Sequence, residues 1–335
     1  MTRASIPVTI LTGFLGSGKT TLLNRILQEH HGQKIAVKEN EFGEAGIDNE
    51  ILVQDRGEQI VEMNNGCICC TVRGDLVRIL GSLAEKRESG RYAFDRVVIE
   101  TTGLADPAPV AQTFFVEEAV AKSYRIDAIL TVVDAKHGAQ QLDTHHEAQE
   151  QVGFADRILL SKTDLVSEAE AASLIARIKS MNPRAPVKPV HFGNTDIADI
   201  LDINGFDLNA VLAIEPQFLE DVTHEHDDDV GSFVYRCARP LNLGKLERFF
   251  NLLLKTYGTE LLRYKGVLNI AGNPKRVIFQ GVHMLFTADE GKSWAKHEKR
   301  ESVMVFIGVK LPRRLFEEGL AMCVQGGSAK KSKIR

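Results

Sequence analysis

Gly13-Phe14-Leu15-Gly16-Ser17-Gly18-Lys19-Thr20 sets glycines, a lysine and a threonine at the offsets of a GxxxxGKT phosphate loop. The chemistry needs each of those types. Glycines let successive backbone N–H groups curl around an oxyanion, and the N-terminus of the next helix adds partial positive charge. Lys19 reaches the outer phosphates and the Thr20 hydroxyl ligates Mg²⁺. Gly13, Gly16, Ser17, Gly18, Lys19, Thr20 and Thr21 are the expected nucleotide contacts here. The bland alternative is a glycine turn between a strand and a helix, and the Lys and Thr at fixed offsets speak against it. A partner acid for the water shell of Mg²⁺ belongs at the end of a neighbouring strand. The run Arg96 to Val98 delivers Ile99-Glu100-Thr101-Thr102-Gly103 there, so Lys19, Thr20 and Glu100 form the candidate catalytic set. A strand-end carboxylate facing solvent is the competing reading of Glu100.

Leu159-Leu160-Ser161-Lys162-Thr163-Asp164 is a buried-type strand running into a Lys-x-Asp loop. A carboxylate at Asp164 can accept both the ring N–H and the exocyclic amine of guanine, whereas adenine offers neither donor there, so the loop predicts GTP over ATP. Ser161 stands where the common version of this loop has Asn, a departure that bears on affinity or selectivity.

Three of the five cysteines crowd into Asn64-Asn65-Gly66-Cys67-Ile68-Cys69-Cys70, which suits a metal or redox site better than a disulfide framework. Thiolates suit Zn²⁺ or another soft divalent ion. In an extended segment Cys67 and Cys69 face one side and Cys70 the other, so a site using all three needs a turn at Ile68. Zinc normally takes four ligands. The nearest acids by topology lie in Glu39-Asn40-Glu41-Phe42-Gly43-Glu44, after the second parallel strand and on the strand-end side of the phosphate loop. In P-loop GTPases that place holds the first switch, ordered by the γ-phosphate and Mg²⁺. A mixed site of Glu39, Glu44 and Cys69, with Cys67 or Cys70 as neighbour, would put a metal between the nucleotide switch and the cysteine loop. A small structural zinc knob, or unliganded thiols beside solvent-facing glutamates, remain open alternatives. His137, His145 and His146 read as solvated imidazoles, and His224 and His226 as either a loose metal site or plain linker.

These groups must be held by elements that alternate short β-branched runs with amphipathic ones, a pattern that requires crossover connections and a mostly parallel sheet. Strands are expected at Val8 to Leu11, Ile35 to Glu39, Gln59 to Met63, Arg96 to Glu100, Ala128 to Asp134 and Arg157 to Ser161. Helices are expected at Thr20 to Gln28, Asp75 to Glu88 and Glu168 to Asn182, where Leu and Ile recur at spacings of three and four. Periodicity fades from Ile214 to Asp229 into His224-Glu225-His226-Asp227-Asp228-Asp229, which reads as a linker. Beyond it, Phe233 to Cys237 reads as a strand, Leu243 to Tyr257 as a helix, and Val267 to Ala271 with Arg276 to Gln280 as a hairpin turning at Gly272-Asn273-Pro274. Leu285 and Val303 to Val309 extend the β reading, and a helix near Leu315 to Val324 closes it. The expected layout is an α/β P-loop domain over 1–212, an acidic linker over 213–230, a smaller α+β domain over 231–325 and a basic tail over 326–335.

With 335 residues, 41 Lys plus Arg against 45 Asp plus Glu, and a net charge of -4, the chain suits two domains and carries no broad field for nucleic acid or an anionic bilayer. Apolar runs such as Val303 to Ile307 stop far short of the roughly 18 to 20 residues that cross a membrane, and Met1 to Ser5 carry no signal-type apolar core. A cytoplasmic protein is expected, with neither nucleic acid nor membrane as partner.

Taken together, Gly13 to Thr20, Glu39 to Glu44, Gly66 to Cys70, Glu100 to Gly103 and Ser161 to Asp164 resemble the CobW-type metal-trafficking GTPases, and most of all their YjiA-like bacterial subgroup. Leu261-Leu262-Arg263-Tyr264-Lys265-Gly266 and Phe279-Gln280-Gly281-Val282 carry the resemblance into that subgroup's C-terminal domain, so nearly the whole chain is covered. The resemblance implies a P-loop GTPase domain with a smaller C-terminal domain, slow GTP hydrolysis to GDP, and binding of zinc, cobalt or nickel. It puts the family's cysteine motif on Cys67, Cys69 and Cys70, and the subgroup's internal metal site on Glu39, Glu44 and Cys69. It further implies delivery of metal to a client protein or a part in zinc homeostasis, and leaves oligomerisation open. The competing function is a zinc-sensing module whose nucleotide state controls docking to another protein, with hydrolysis incidental.

Overall fold

The computed structural model describes residues 5–28, 34–39, 51–54, 58–62, 72–193, 195–196, 199–205 and 229–326, and at 38–39, 51–54, 58–62 and 72–73 the backbone alone. The chain divides into two compact units, Met1–Asp207 and Leu208–Arg335.

Strands buried on both faces read as continuous apolar runs, and the first unit is built from such strands. Its central members are β1 (Ile6–Thr12), β5 (Arg96–Glu100), β6 (Tyr124–Asp134) and β7 (Arg157–Ser161), flanked by β2 (Ile35–Glu39), β3 (Ile51–Gln54), β4 (Glu58–Glu62) and β8 (Val187–Val190). The order is β3-β4-β2-β5-β1-β6-β7-β8, parallel throughout except that β3 runs antiparallel to β4. In a parallel sheet every carboxyl end lies at one edge, so Thr12, Glu39, Glu100, Asp134 and Ser161 end their strands on the same side. Helix α1 (Lys19–Gln28) lays Leu22, Leu23 and Ile26 against Leu11, Val98, Leu130 and Leu159 of the sheet. Each such side chain stabilises the fold by roughly 1.5–3 kcal/mol. The crossovers use α2 (Val72–Glu88), α3 (Ala108–Val116), α4 (Glu118–Ser123), α5 (Gly138–Thr144), α6 (His146–Phe154) and α7 (Glu168–Met181). Helix α7 begins at a capping box, in which the Ser167 hydroxyl accepts from the Glu170 N–H and the Glu170 carboxylate accepts from the Ser167 N–H.

The second unit is an antiparallel sheet of β9 (Val230–Cys237), β10 (Arg263–Leu268), β11 (Lys275–Val282), β12 (Leu285–Ser293) and β13 (Ser302–Val309) in the order β12-β11-β10-β13-β9. Helices α8 (Leu243–Tyr257) and α9 (Arg313–Met322) set Phe250, Leu253, Phe316 and Leu320 into one core with Tyr264, Phe279, Met304 and Phe306 of the sheet. The Phe250 and Phe279 rings lie 4.5 Å apart.

Several expected boundaries move. The strand read at Val267 to Ala271 is β10, which starts at Arg263 and leaves its ladder after Leu268. Leu241 takes over there, donating its N–H to Asn269 O at 2.8 Å and accepting from the Ala271 N–H at 2.8 Å. The closing helix ends at Met322, before Val324, because Val324 pairs with Leu241 in an isolated bridge. The expected linker and basic tail fall largely on 206–228 and 327–335, outside the described residues.

Candidate functional site: a nucleotide cradle at the carboxyl ends of the sheet

The phosphate loop leaves β1 at Gly13 and enters α1 at Lys19. Gly13 has φ +141°, and a Cβ there would stand 2.2 Å from the Val132 carbonyl oxygen of β6, so only glycine lets the loop pass this close to the sheet. Gly16 and Gly18 also adopt positive φ, at +72° and +99°. The loop therefore turns back on itself, and the first turn of α1 opens directly onto it.

Lys19, only 8% exposed, donates through Nζ to Gly13 O at 2.8 Å and Phe14 O at 3.1 Å. Burial pulls its ammonium below the ordinary lysine value, and the charge of Glu100 partly offsets this. Thr20 donates through Oγ1 to Glu100 Oε1 at 3.1 Å, and Glu100 is buried at the end of β5. The structure thus brings Lys19, Thr20 and Glu100 together, with a hydroxyl and a carboxylate side by side. Hard oxygen donors of this kind suit Mg²⁺. The Ser17 hydroxyl is buried with no hydrogen-bond partner among the described residues, a bare polar group that a phosphate oxygen or water would satisfy. Thr21 is exposed on the first turn of α1.

The segment after β5 packs on this loop. A Cβ on Gly103 would come within 2.6 Å of the Leu15 N atom, so the two backbones touch. Thr101 Oγ1 donates to Thr12 Oγ1 at 2.8 Å, and buried Gln151 of α6 donates to Gly103 O and Ala105 O at 3.2 and 3.0 Å. Gln151 escapes a sequence reading because nothing about a polar residue in a polar helix marks it as buried.

Ser161 is buried at the end of β7, and its Oγ lies 2.6 Å from Ser17 O and 3.2 Å from Val133 O. One hydroxyl proton serves both carbonyls, tying the base loop to the phosphate loop and to β6. Lys162, in the left-handed region at φ +56°, donates to Gly16 O and to Asp134 Oδ2, both at 2.7 Å. Asp164 is exposed in the short 3₁₀ turn Thr163–Leu165, and His191 Nδ1 lies 3.3 Å from its Oδ1. Neither Asp134 nor His191 was read as part of the site from sequence. Asp134 carries the one usable signal, a carboxylate closing an apolar strand next to β1.

Glu39 ends β2, and its backbone faces Glu62 at the end of β4. Glu44, Cys67, Cys69 and Cys70 lie outside the described residues, as do His224 and His226. Among the described residues no cluster of three or more His, Cys, Asp or Glu is placed to hold a metal ion. His137 Nδ1 lies 3.0 Å from Asp134 Oδ2, the His145 ring is 4.5 Å from the Phe14 ring, and His146 Nε2 is 3.3 Å from Glu150 Oε1. No helix among the described residues is long and apolar enough to cross a membrane.

Residues 7–189 match the family model described as "CobW/HypB/UreG, nucleotide-binding domain", and residues 230–324 match "Cobalamin synthesis protein cobW C-terminal domain". The zinc chaperone YjiA of Escherichia coli is 46% identical over 308 residues, spanning 92% of this chain and 95% of that protein. The zinc chaperone CobW of Pseudomonas aeruginosa is 33% identical, spanning 92% of this chain and 89% of its own length. The crystal structure of the Zn(II)-bound YjiA GTPase from E. coli superposes with a TM-score of 0.78 at 39% identity, covering 96% of this chain and all of that one. With both domain models matched in order and a relative similar along almost its entire length, the chain belongs to the CobW/HypB/UreG family of nucleotide-binding proteins.

Proposed function

We propose that this protein is a Mg²⁺-dependent GTPase that works as a zinc metallochaperone, with its zinc site coupled to the nucleotide switch. The observation that carries the reading is the joint match of nucleotide-binding and CobW C-terminal domains to relatives named as zinc chaperones. The cradle supports the nucleotide half. The N–H groups of Gly16, Ser17, Gly18 and Lys19 bind the β-phosphate at the opening of α1, and Lys19 turns from the Gly13 and Phe14 carbonyls to the outer phosphates. Thr20 and Glu100 hold Mg²⁺, Glu100 through water; when bound, the ion neutralises charge on the β- and γ-phosphates. Ser161 and Lys162 fix the base loop on the phosphate loop, and Asp164 reads guanine in place of its contact with His191. The segment after β5, packed on Leu15 through Gly103, is positioned to sense the γ-phosphate.

The metal half rests on Glu39, Glu44 and Cys69, with Cys67 and Cys70 as further thiol ligands. What supports it is topology. Glu39 and Glu62 are register partners at the ends of parallel strands on the phosphate-loop side, and Cys67 follows Glu62 by five residues (67 − 62). Zinc fits a mixed thiolate and carboxylate set, and cobalt or nickel are the alternative cargoes. GTP orders the Glu39 to Glu44 segment and completes the site, and hydrolysis to GDP loosens it for a client protein. No arginine finger is assigned, so intrinsic turnover is expected to be slow, on the order of 10⁻⁴ to 10⁻² s⁻¹. The test is single-turnover hydrolysis by zinc-loaded protein in the presence of a chromophoric chelator. Zinc transfer should track phosphate release. Hydrolysis with no zinc leaving would favour the docking module with incidental turnover.

A further inference from the structure

Asp134 ends β6 between the phosphate loop and the base loop, and at 1% exposure it is among the most buried carboxylates described. Its Oδ1 accepts from the N–H groups of Lys136 and His137 at 2.8 and 3.2 Å. Its Oδ2 accepts from Lys162 Nζ at 2.7 Å and faces His137 Nδ1 at 3.0 Å. The same Lys162 ammonium reaches Gly16 O at 2.7 Å. A carboxylate is an acceptor only, so Asp134 has nothing to offer a phosphate, and with both oxygens buried and already engaged it acts through what it holds. What it holds is strained, because Lys162 sits at φ +56°, a conformation that costs a non-glycine residue free energy unless its surroundings enforce it. The lysine side chain is pinned at its tip by one buried anion and one phosphate-loop carbonyl. Remove the anion and the ammonium keeps only Gly16, and Lys162 is no longer held where the base loop turns.

We propose that Asp134 is a positioning residue for the nucleotide: it sets the Lys162 ammonium against the Gly16 carbonyl and so fixes the spacing between phosphate loop and base loop. The proposal rests on the assignment of Ser161 to Asp164 to the base. The competing role for Asp134 is purely local, capping the turn at Lys136 and His137.

The test measures Mg²⁺-GDP affinity and GTP turnover on the full chain for wild type, Asp134→Asn, Lys162→Met and the double variant. Asn keeps an oxygen for the two backbone N–H groups but loses the charge on Lys162, so the turn survives while the bridge weakens. Losing one charge-assisted hydrogen bond should weaken GDP binding roughly ten-fold or more. KM for GTP should rise by a similar factor, with kcat changing less, whereas general misfolding would lower kcat through a smaller active fraction. In the Lys162→Met background the Asp134 change should have little further effect on affinity. An equal loss in both backgrounds, or Asp134→Asn affinity within two-fold of wild type, overturns the proposal. Unchanged affinity in Lys162→Met overturns the base-loop assignment itself, and the proposal with it. Should Asp134→Asn fail to fold, Asp134→Ser, which retains a hydroxyl acceptor for the turn, takes its place in the same cycle.

Discussion

Ser161 shows how a substitution in a familiar loop is absorbed. An amide there would offer two donors; the hydroxyl offers one, shared between Ser17 O at 2.6 Å and Val133 O at 3.2 Å. Ser161→Ala leaves both carbonyls without that partner and should weaken GDP binding about five-fold, equivalent to about 1 kcal/mol, in a fluorescent-nucleotide titration. Asp134 gives a second prediction, on stability. Burial alone would raise its carboxyl, but hydrogen bonds from Lys162, His137 and the two backbone N–H groups outweigh burial and hold it below the ordinary 3.8. The sign follows from linkage: its contribution is fully present above 3.8 and is lost as pH falls through the lower folded value. Asp134→Asn should therefore flatten the acid side of the stability curve, and urea unfolding across that range would expose a slope that fails to change.

Among elements, the parallel sheet does the positioning: Glu100, Asp134 and Ser161 end strands, Lys19 and Thr20 begin the helix that follows β1, and the loops between carry Ser17 and Lys162. The opposite edge of the sheet is clamped by a buried cluster. Asp127 accepts from Arg96 Nη1 and Thr9 Oγ1, both at 3.4 Å, and from the Asn204 N–H at 2.7 Å, while Arg96 also pairs with Asp202. Asp127→Ala leaves the Arg96 guanidinium buried beside a lost partner and should destabilise the first unit by about 3 kcal/mol, measured by denaturant unfolding with bound nucleotide little affected. This division of the sheet also explains what could be read beforehand. The strands bearing Thr12, Glu100 and Ser161 were legible because burial on both faces writes an unbroken apolar run. Helix α3 was not, since Ala108, Val110, Ala111, Thr113 and Phe114 are all buried and leave no polar stripe for a 3.6 period. Helix α6 puts polar side chains on its packed face, where buried Gln149 is satisfied by Leu142 O seven residues back and buried Gln151 by Gly103 O 48 residues back, so apolar spacing alone does not mark that face. Strand β12 is an exposed edge whose charged residues guard against pairing with another chain, so only its first residue, Leu285, was legible as β. Within the site, the phosphate loop was legible from spacing alone, while the Asp134 to Lys162 contact joins residues 28 apart whose types predict nothing about each other.

At the scale of the whole molecule, the nucleotide cradle lies at the carboxyl ends of the first unit's sheet, where Glu39 also ends its strand, and a match to the CobW C-terminal domain follows along the chain. The proposed function requires that nucleotide state and zinc affinity be linked, and linkage is reciprocal: whatever factor GTP imposes on zinc, zinc imposes on GTP. A coupling of typical size, about 1–3 kcal/mol, corresponds to roughly 5- to 150-fold in affinity. The most direct test is Zn²⁺ affinity by competition with a chromophoric chelator, on protein loaded with Mg²⁺ and either GDP or a non-hydrolysable GTP analogue. Tighter zinc binding with the GTP analogue, matched by an equal gain in nucleotide affinity when zinc is present, is the expected result; tight zinc binding identical in both states would contradict the account and leave zinc a structural ion.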